Sequence, residues 1–307
     1  MAAGKHFFII NPVAGMGKAK LWWENMGPAL LRLGENSEFA FTEDEGTAPR
    51  QVREAIAKGF DTIVAIGGDG TAHEVLNGIM SAGAGSLVAM LPWPAGTGCD
   101  LARSLYPDLL DRDLPGLLMG GQRQSLDCIH LAYTGKDGTA ASRWCFNVTD
   151  VGFSADVAHY VNSWVGKKRG KTVFAQAAIA ILKKHKNIHT IITVDGEPFY
   201  NGDMTLAAFG NGGYIGGGMN VCPTAHMSDG FLEVMVAKGL KRWQILWHMP
   251  AFFQGKHVRL PFVKHCRGKT TEISTMPPRF IDADGECIGL TPLKLHLEVG
   301  KVAVLLP

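Results

Sequence analysis

Ile63-Val64-Ala65-Ile66-Gly67-Gly68-Asp69-Gly70-Thr71-Ala72-His73-Glu74 is an apolar strand that runs into a glycine-rich turn carrying one carboxylate and one hydroxyl. Glycines let main-chain N–H groups approach an oxyanion without a Cβ in the way. A helix beginning near Ala72 would add its positive dipole end at the same spot. Taken alone, the tract fits a nucleotide-phosphate turn or a plain strand-to-helix turn equally well.

The segments around it decide the fold. His6 to Ile10 reads as a strand closed by Asn11-Pro12, Lys18 to Leu33 as an amphipathic helix, and Glu38 to Phe41 as a short strand. Pro49 to Lys58 reads as a helix, Thr62 to Ile66 as a strand, Ala72 to Met80 as a helix and Leu87 to Leu91 as a strand. This βαβα order predicts a doubly wound parallel sheet whose strand-end loops form the ligand crevice. Beyond Gln122, strand-like runs separated by Gly, Pro, Asp and Asn turns predict a mainly antiparallel second domain. Helices are expected there at Ala155 to Trp164, Phe174 to Lys184 and Trp243 to Phe253. The domains are therefore drawn as 1–122, α/β, and 123–307, β-rich.

Composition narrows the class of partner. A chain of 307 residues, 46% apolar and 19% charged, has the core and the length for two domains. Its net charge of +2 argues against nucleic acid. The local excess Gly166-Lys167-Lys168-Arg169-Gly170-Lys171, with Lys183, Lys184 and Lys186, fits a solvated face better than an anion site. Six cysteines without Cys-x-x-Cys spacing suggest reduced thiols in the cytoplasm, and no apolar run has the ~18 residues of a membrane span.

Two more loops carry phosphate-like chemistry. Asn11-Pro12-Val13-Ala14-Gly15-Met16-Gly17-Lys18 is glycine-rich, but Ala19 stands where a P-loop needs Ser or Thr, so that motif fails. Pro94-Ala95-Gly96-Thr97-Gly98-Cys99-Asp100-Leu101-Ala102-Arg103 places glycines and a hydroxyl before a helix.

Together, Asn-Pro-x-Ala-Gly, Gly-Gly-Asp-Gly-Thr and Pro-x-Gly-Thr-Gly-x-Asp-Leu-Ala-Arg resemble the diacylglycerol kinase catalytic-domain family, which includes soluble bacterial lipid kinases and sphingosine kinases. Second-half segments continue the resemblance in order: Phe146 to Phe153, Gly210 to Gly218, Pro223 to Leu232 and Asp284-Gly285-Glu286. The resemblance implies an NAD kinase/phosphofructokinase-like first domain and transfer of the ATP γ-phosphate, with Mg²⁺, to a lipid hydroxyl. Diacylglycerol or a related glycerolipid is the leading substrate and a sphingoid base the alternative. NAD kinase shares Gly-Gly-Asp-Gly-Thr but should carry a downstream Asn-Glu pair, which this chain lacks. A catalytically inactive nucleotide or lipid sensor is the remaining alternative. The implied partner is lipid at a membrane surface met peripherally, with a homodimer left open.

By the same resemblance, Asn11, Thr42, Gly67, Gly68, Asp69, Gly70, Thr71, Ala72, His73 and Thr97 hold ATP, and Asp69 bridges to phosphate-bound Mg²⁺. Cys99 departs from the family's usual Asn. The chain holds two Asp-Gly-Glu tripeptides, and position relative to the C-terminus favours Asp284 as the general base, with Glu286 orienting it or binding metal. Asp195 reads as a hairpin turn. His226, Asp229 and Phe231 match a loop that holds a structural Mg²⁺ in bacterial members, and fit an Asp-Gly turn as well. Trp243, Ile245, Leu246, Trp247, Met249, Phe252 and Phe253 crowd one helical stretch, as a core stripe, an acyl-chain wall or an interfacial patch would.

Overall fold

The computed structural model describes residues 4–34, 36–44, 46–96, 98–106, 113–163 and 171–307. It divides into two compact units, Met1–Asp127 with Val299–Pro307, and Cys128–Glu298. The end of the chain thus groups with the first unit, whereas the sequence reading left all of 123–307 in the second.

In the first unit, β1 (His6–Ile10), α1 (Lys18–Leu30), β2 (Glu38–Phe41), α2 (Thr47–Ala57), β3 (Thr62–Gly67), α3 (Asp69–Ser81) and β4 (Ala89–Pro94) alternate as expected. Strand pairing is parallel, with β1 between β2 and β3, and β3 next to β4. Every residue of β1 and β3 is buried, which requires cover on both faces of the sheet. Phe8, Ile10, Val64, Ile66, Leu91 and Trp93 pack on one face with Trp23 and Leu30 of α1. Two short helices follow, α4 (Asp100–Leu105) and α5 (Leu114–Gly120), the second of which the periodicity did not reveal. Helix α3 starts at Asp69, three residues before the expected Ala72, because Gly68 is extended and its carbonyl accepts the Ala72 N–H to close the first turn.

The second unit is mainly antiparallel among the described residues. It contains β5 (Gln122–Gly135), which begins in the first unit, β6 (Ala140–Cys145), β7 (Val148–Gly152), α6 (Phe153–Asn162), α7 (Lys171–Lys184), β8 (Ile188–Val194) and β9 (Glu197–Gly210). After these come β10 (Tyr214–Ile215), β11 (Met219–Asn220), β12 (Leu232–Lys238), α8 (Arg242–Phe253), β13 (Val263–Gly268), β14 (Thr270–Met276), β15 (Phe280–Ala283) and β16 (Glu286–Leu306). The pairings β9-β7-β15-β16-β14-β8 return to β9, so the ladder closes on itself around Ile192, Met204, Phe209, Ile273, Ile281 and Leu293.

Two strand readings change. Trp144 to Val148, expected as one strand, is broken at Phe146-Asn147, whose N–H groups leave the ladder for a side-chain carboxylate. The two C-terminal strands expected at Leu293 to Leu297 and Val302 to Leu306 are one, β16, which passes Gly300 at φ 61. The Gly300 N–H there donates to Asp127 Oδ1 at 2.8 Å, and Val304 pairs in parallel with Met90 of β4.

Candidate active site

The carboxyl ends of the first unit's strands lie level, since Ile10 is in register with both Phe41 and Ile66, and Gly67 with Pro94. Their loops therefore start together, and their side chains bind them to one another. Asn11 Nδ2 donates to Thr71 Oγ1 at 3.1 Å, while Asn11 Oδ1 accepts the Val13 N–H and shapes the Asn-Pro turn. Gly67 carbonyl accepts the Ala95 N–H at 2.8 Å. A Cβ on Gly96 would lie 2.5 Å from Gly68 Cα, so the two loops touch through glycine backbones.

Asp69 fastens the assembly. Its Oδ2 accepts the Asp100 N–H at 3.1 Å and its Oδ1 the Leu101 N–H at 3.0 Å, so the carboxylate of the glycine tract caps α4 of the next loop. Asp100 is itself buried and pairs with Arg103 at 2.5 Å. The open part of the tract is Gly68, Asp69 and Gly70; Thr71, Ala72 and His73 are buried. The His73 ring lies 3.3 Å from Asn77 Nδ2 on the same helix. Thr42 is half-buried at the end of β2, where its N–H continues the ladder to Ile10. Thr97 lies outside the described residues.

The second unit brings the carboxyl groups of Asp150, Asp282, Asp284 and Glu286 to one place. Asp284 and Gly285 form the two-residue turn between β15 and β16, with φ values of 53 and 89. Asp195 and Gly196 form the same turn between β8 and β9, with φ values of 51 and 84. Their carboxylates differ. Asp284 is buried, and its Oδ1 accepts the N–H groups of Asn147 (2.9 Å) and Val148 (3.2 Å) and the Cys145 thiol (3.1 Å). Its Oδ2 accepts the Phe146 N–H at 2.9 Å, an array that suits the ionised form. Asp195 is exposed and accepts the N–H groups of Lys269 (2.9 Å) and Thr270 (2.8 Å).

Asp150 and Asp282, which the sequence reading did not single out, are buried beside this turn and hydrogen-bond each other. Burial pushes both carboxyls up, and for Asp282 the charges of Asp150, Glu286 and Asp284 add to it. The Ser154 hydroxyl donates to Asp150 Oδ1, and the Gly285 N–H to Asp282 Oδ2 at 3.3 Å. Alternation along Asp282, Asp284 and Glu286 was the available signal for one of them; nothing local marks Asp150.

Metal fit differs between the two proposed places. A Cβ at Gly98 would lie 3.0 Å from Asp69 Oδ2, so its absence keeps space at that oxygen. One carboxylate with open space suits a Mg²⁺ that arrives on phosphate oxygens and keeps its waters. Among the described residues no group of three or more His, Cys, Asp or Glu forms a cage. At the second loop, Asp229 Oδ1 accepts the Phe231 N–H at 3.0 Å and Oδ2 pairs with the Arg267 guanidinium. The His226 carbonyl accepts the Asp229 N–H at 3.3 Å. As arranged, Arg267 supplies the positive charge there, and the residues do not fit an added divalent cation.

A parallel α/β unit with interlocked glycine-rich strand-end loops, followed by an antiparallel unit with a buried carboxylate turn, defines a phosphate-handling two-unit protein. Family comparison makes this specific. Residues 5–131 match the diacylglycerol kinase catalytic domain, and residues 147–306 match the YegS C-terminal NAD kinase beta sandwich-like domain. The chain belongs to the diacylglycerol kinase and YegS family of lipid kinases. It is 28% identical to a diacylglycerol kinase of Mycobacterium tuberculosis over 99% of this chain and 96% of that one. A diacylglycerol kinase of Staphylococcus haemolyticus is 26% identical over 95% of this chain and 86% of its own. The fold is that of a diacylglycerol kinase crystal structure from Bacillus anthracis, with a TM-score of 0.71, 22% identity and coverage of 99% and 97%.

Proposed function

We propose that the protein transfers the γ-phosphate of ATP to the hydroxyl of a lipid, with diacylglycerol or a related glycerolipid as the acceptor. The observation that carries this is the pairing of two features in a lipid kinase family member: glycine loops locked around Asp69, and a second carboxylate, Asp284, held rigidly by four donors. Gly68 and Gly70 present main-chain N–H groups to phosphate oxygens, and Asn11 holds its loop in place through Thr71. Bound Mg²⁺ would neutralise phosphate charge beside Asp69.

Asp284 accepts the proton of the attacking hydroxyl. A loose phosphoryl-transfer transition state asks little of the base beyond orientation, which the four donors to Asp284 fix. Six cysteines free of disulfides suit a reducing, ATP-rich compartment, which supports a cytoplasmic setting. Radiolabelled ATP offered with diacylglycerol, monoacylglycerol and sphingosine in mixed micelles, with and without Mg²⁺, tests the reading. Label in phosphatidic acid that depends on Mg²⁺ is the expected result; label in none of the lipids overturns it.

A further inference from the structure

Helix α8 departs from the usual amphipathic arrangement, being apolar on both its buried and its exposed face. Ile245 and Phe252 are buried in the second unit, yet the opposite face exposes Trp243 by 63%, Leu246 by 53%, Trp247 by 77% and Phe253 by 46%. These positions, with exposed Pro250, recur at helical spacing of three and four residues and so form one continuous apolar stripe. Leaving two tryptophans in water forgoes much of the free energy their burial would release.

The charge around the stripe is one-sided. Between Glu233 and Glu272 the chain contains eight Lys and Arg residues and no Asp or Glu. The net charge of the whole chain is +2, so the remainder carries −6. Exposed Lys241 precedes the helix and exposed Arg242 opens it, and exposed Lys256 and Arg259 follow it. The apolar stripe is thus rimmed at both ends by cations.

We propose that this face of α8 docks the protein on an anionic lipid bilayer, with Trp243, Leu246, Trp247 and Phe253 set among the headgroups and Lys241, Arg242, Lys256 and Arg259 against lipid phosphates. The inference rests on the lipid kinase reading for its purpose, though not for its test. Tryptophan rings favour the headgroup level, and a basic rim gains from an anionic surface. A helix of 12 residues spans about 18 Å, too short to cross a bilayer, so it lies in the interface plane. A second copy of the chain fits less well, because a two-fold contact through this face would set the basic rims against each other.

Vesicle co-sedimentation at low salt tests this without requiring turnover, using phosphatidylcholine alone or with about one-third phosphatidylglycerol. The wild-type chain should sediment with the anionic vesicles and be released by added salt. The double variant Trp243→Gln, Trp247→Gln should lose partitioning about tenfold or more. Lys241→Gln with Lys256→Gln should lose the preference for phosphatidylglycerol while keeping the residual binding to phosphatidylcholine. Leu87→Gln, an exposed apolar position in the first unit, should sediment like wild type. Circular dichroism melting confirms that each variant is folded. Wild-type sedimentation by the double tryptophan variant would overturn the proposal, as would a vesicle-free wild-type dimer that the same variant converts to monomer. A variant that fails on vesicles but phosphorylates a dispersed short-chain diacylglycerol normally locates the loss in docking, whereas absence of turnover in every form bears on the kinase reading alone.

Discussion

Asp150 and Asp282 lie directly opposite each other on β7 and β15, both buried, and their carboxyl groups share a hydrogen bond. Two carboxylates in contact away from water cannot both ionise, so the pair retains a proton that either residue would release in the unfolded chain. Asp156, Asp284 and Glu286 add negative charge nearby, while Arg279 is drawn to Asp156 at 3.6 Å. Because the pair sits at the root of the Asp284 turn, its protonation bears on the candidate base.

The sign of the pH effect follows from the raised values. A carboxyl that binds its proton more tightly when folded stabilises the fold fully below the unfolded pKa of about 4 and loses that contribution as pH rises through the folded value. For Asp150, burial raises that value to about 7. Asp150→Asn keeps a hydrogen-bonding side chain and removes the titration of Asp150 itself. Relative to wild type, this variant should therefore gain thermal stability progressively between about pH 4 and pH 7. Parallel melting-temperature curves for the two proteins across that range would show that the pair does not hold the proton.

Asp284→Asn should reduce turnover by at least about 10²-fold while nucleotide binding by the first unit persists. The amide retains one oxygen acceptor but presents an NH₂ group to donors that now face an oxygen. Isothermal titration with ATP and a lipid phosphorylation assay separate the two effects. Unchanged kcat would remove Asp284 from the base role.

Asp195→Asn should leave kcat close to wild type and cost stability. Burial alone would raise the Asp195 carboxyl, but the Thr270 and Lys269 N–H groups and the Thr270 hydroxyl outweigh it and hold the group below its usual value. Losing the charge in these exposed hydrogen bonds should cost about 1 kcal/mol, read from denaturant unfolding. An inactive variant would assign the base to the wrong Asp-Gly turn.

Cys99 stands at φ 56 before α4, in the left-handed region where Asn is enriched several-fold and Cys is not. Cys99→Asn should raise stability by up to about 1 kcal/mol by relieving that strain. It should also change the KM for ATP more than the preference among lipids, since the residue adjoins the loop fastened by Asp69. A lower melting temperature would contradict the first expectation, and an unchanged KM for ATP the second.

Much of the first unit was legible because its determinants are local. Apolar runs ending in Asn-Pro, Gly-Gly-Asp-Gly and Pro-Ala-Gly mark strand ends, and parallel order brings such ends to one edge. The role of Asp69 as cap of α4 was not legible, because its partners lie more than thirty residues away in backbone N–H groups that every sequence contains. The strand break at Phe146-Asn147 has the same origin: nothing near Trp144 announces that its neighbours' N–H groups serve a carboxylate in β15's turn.

By itself the sequence determined the alternating order of the first unit, the hairpin at Asp195-Gly196 and the family motifs. Backbone preferences of Gly, Asp and Pro act within a few residues and need no distant partner. Only the tertiary structure decided which Asp-Gly carboxylate is buried, that Asp150 meets Asp282, and that the aromatic stripe of α8 faces outward. Those are questions of burial and register, settled by segments far apart in the chain competing for one interior.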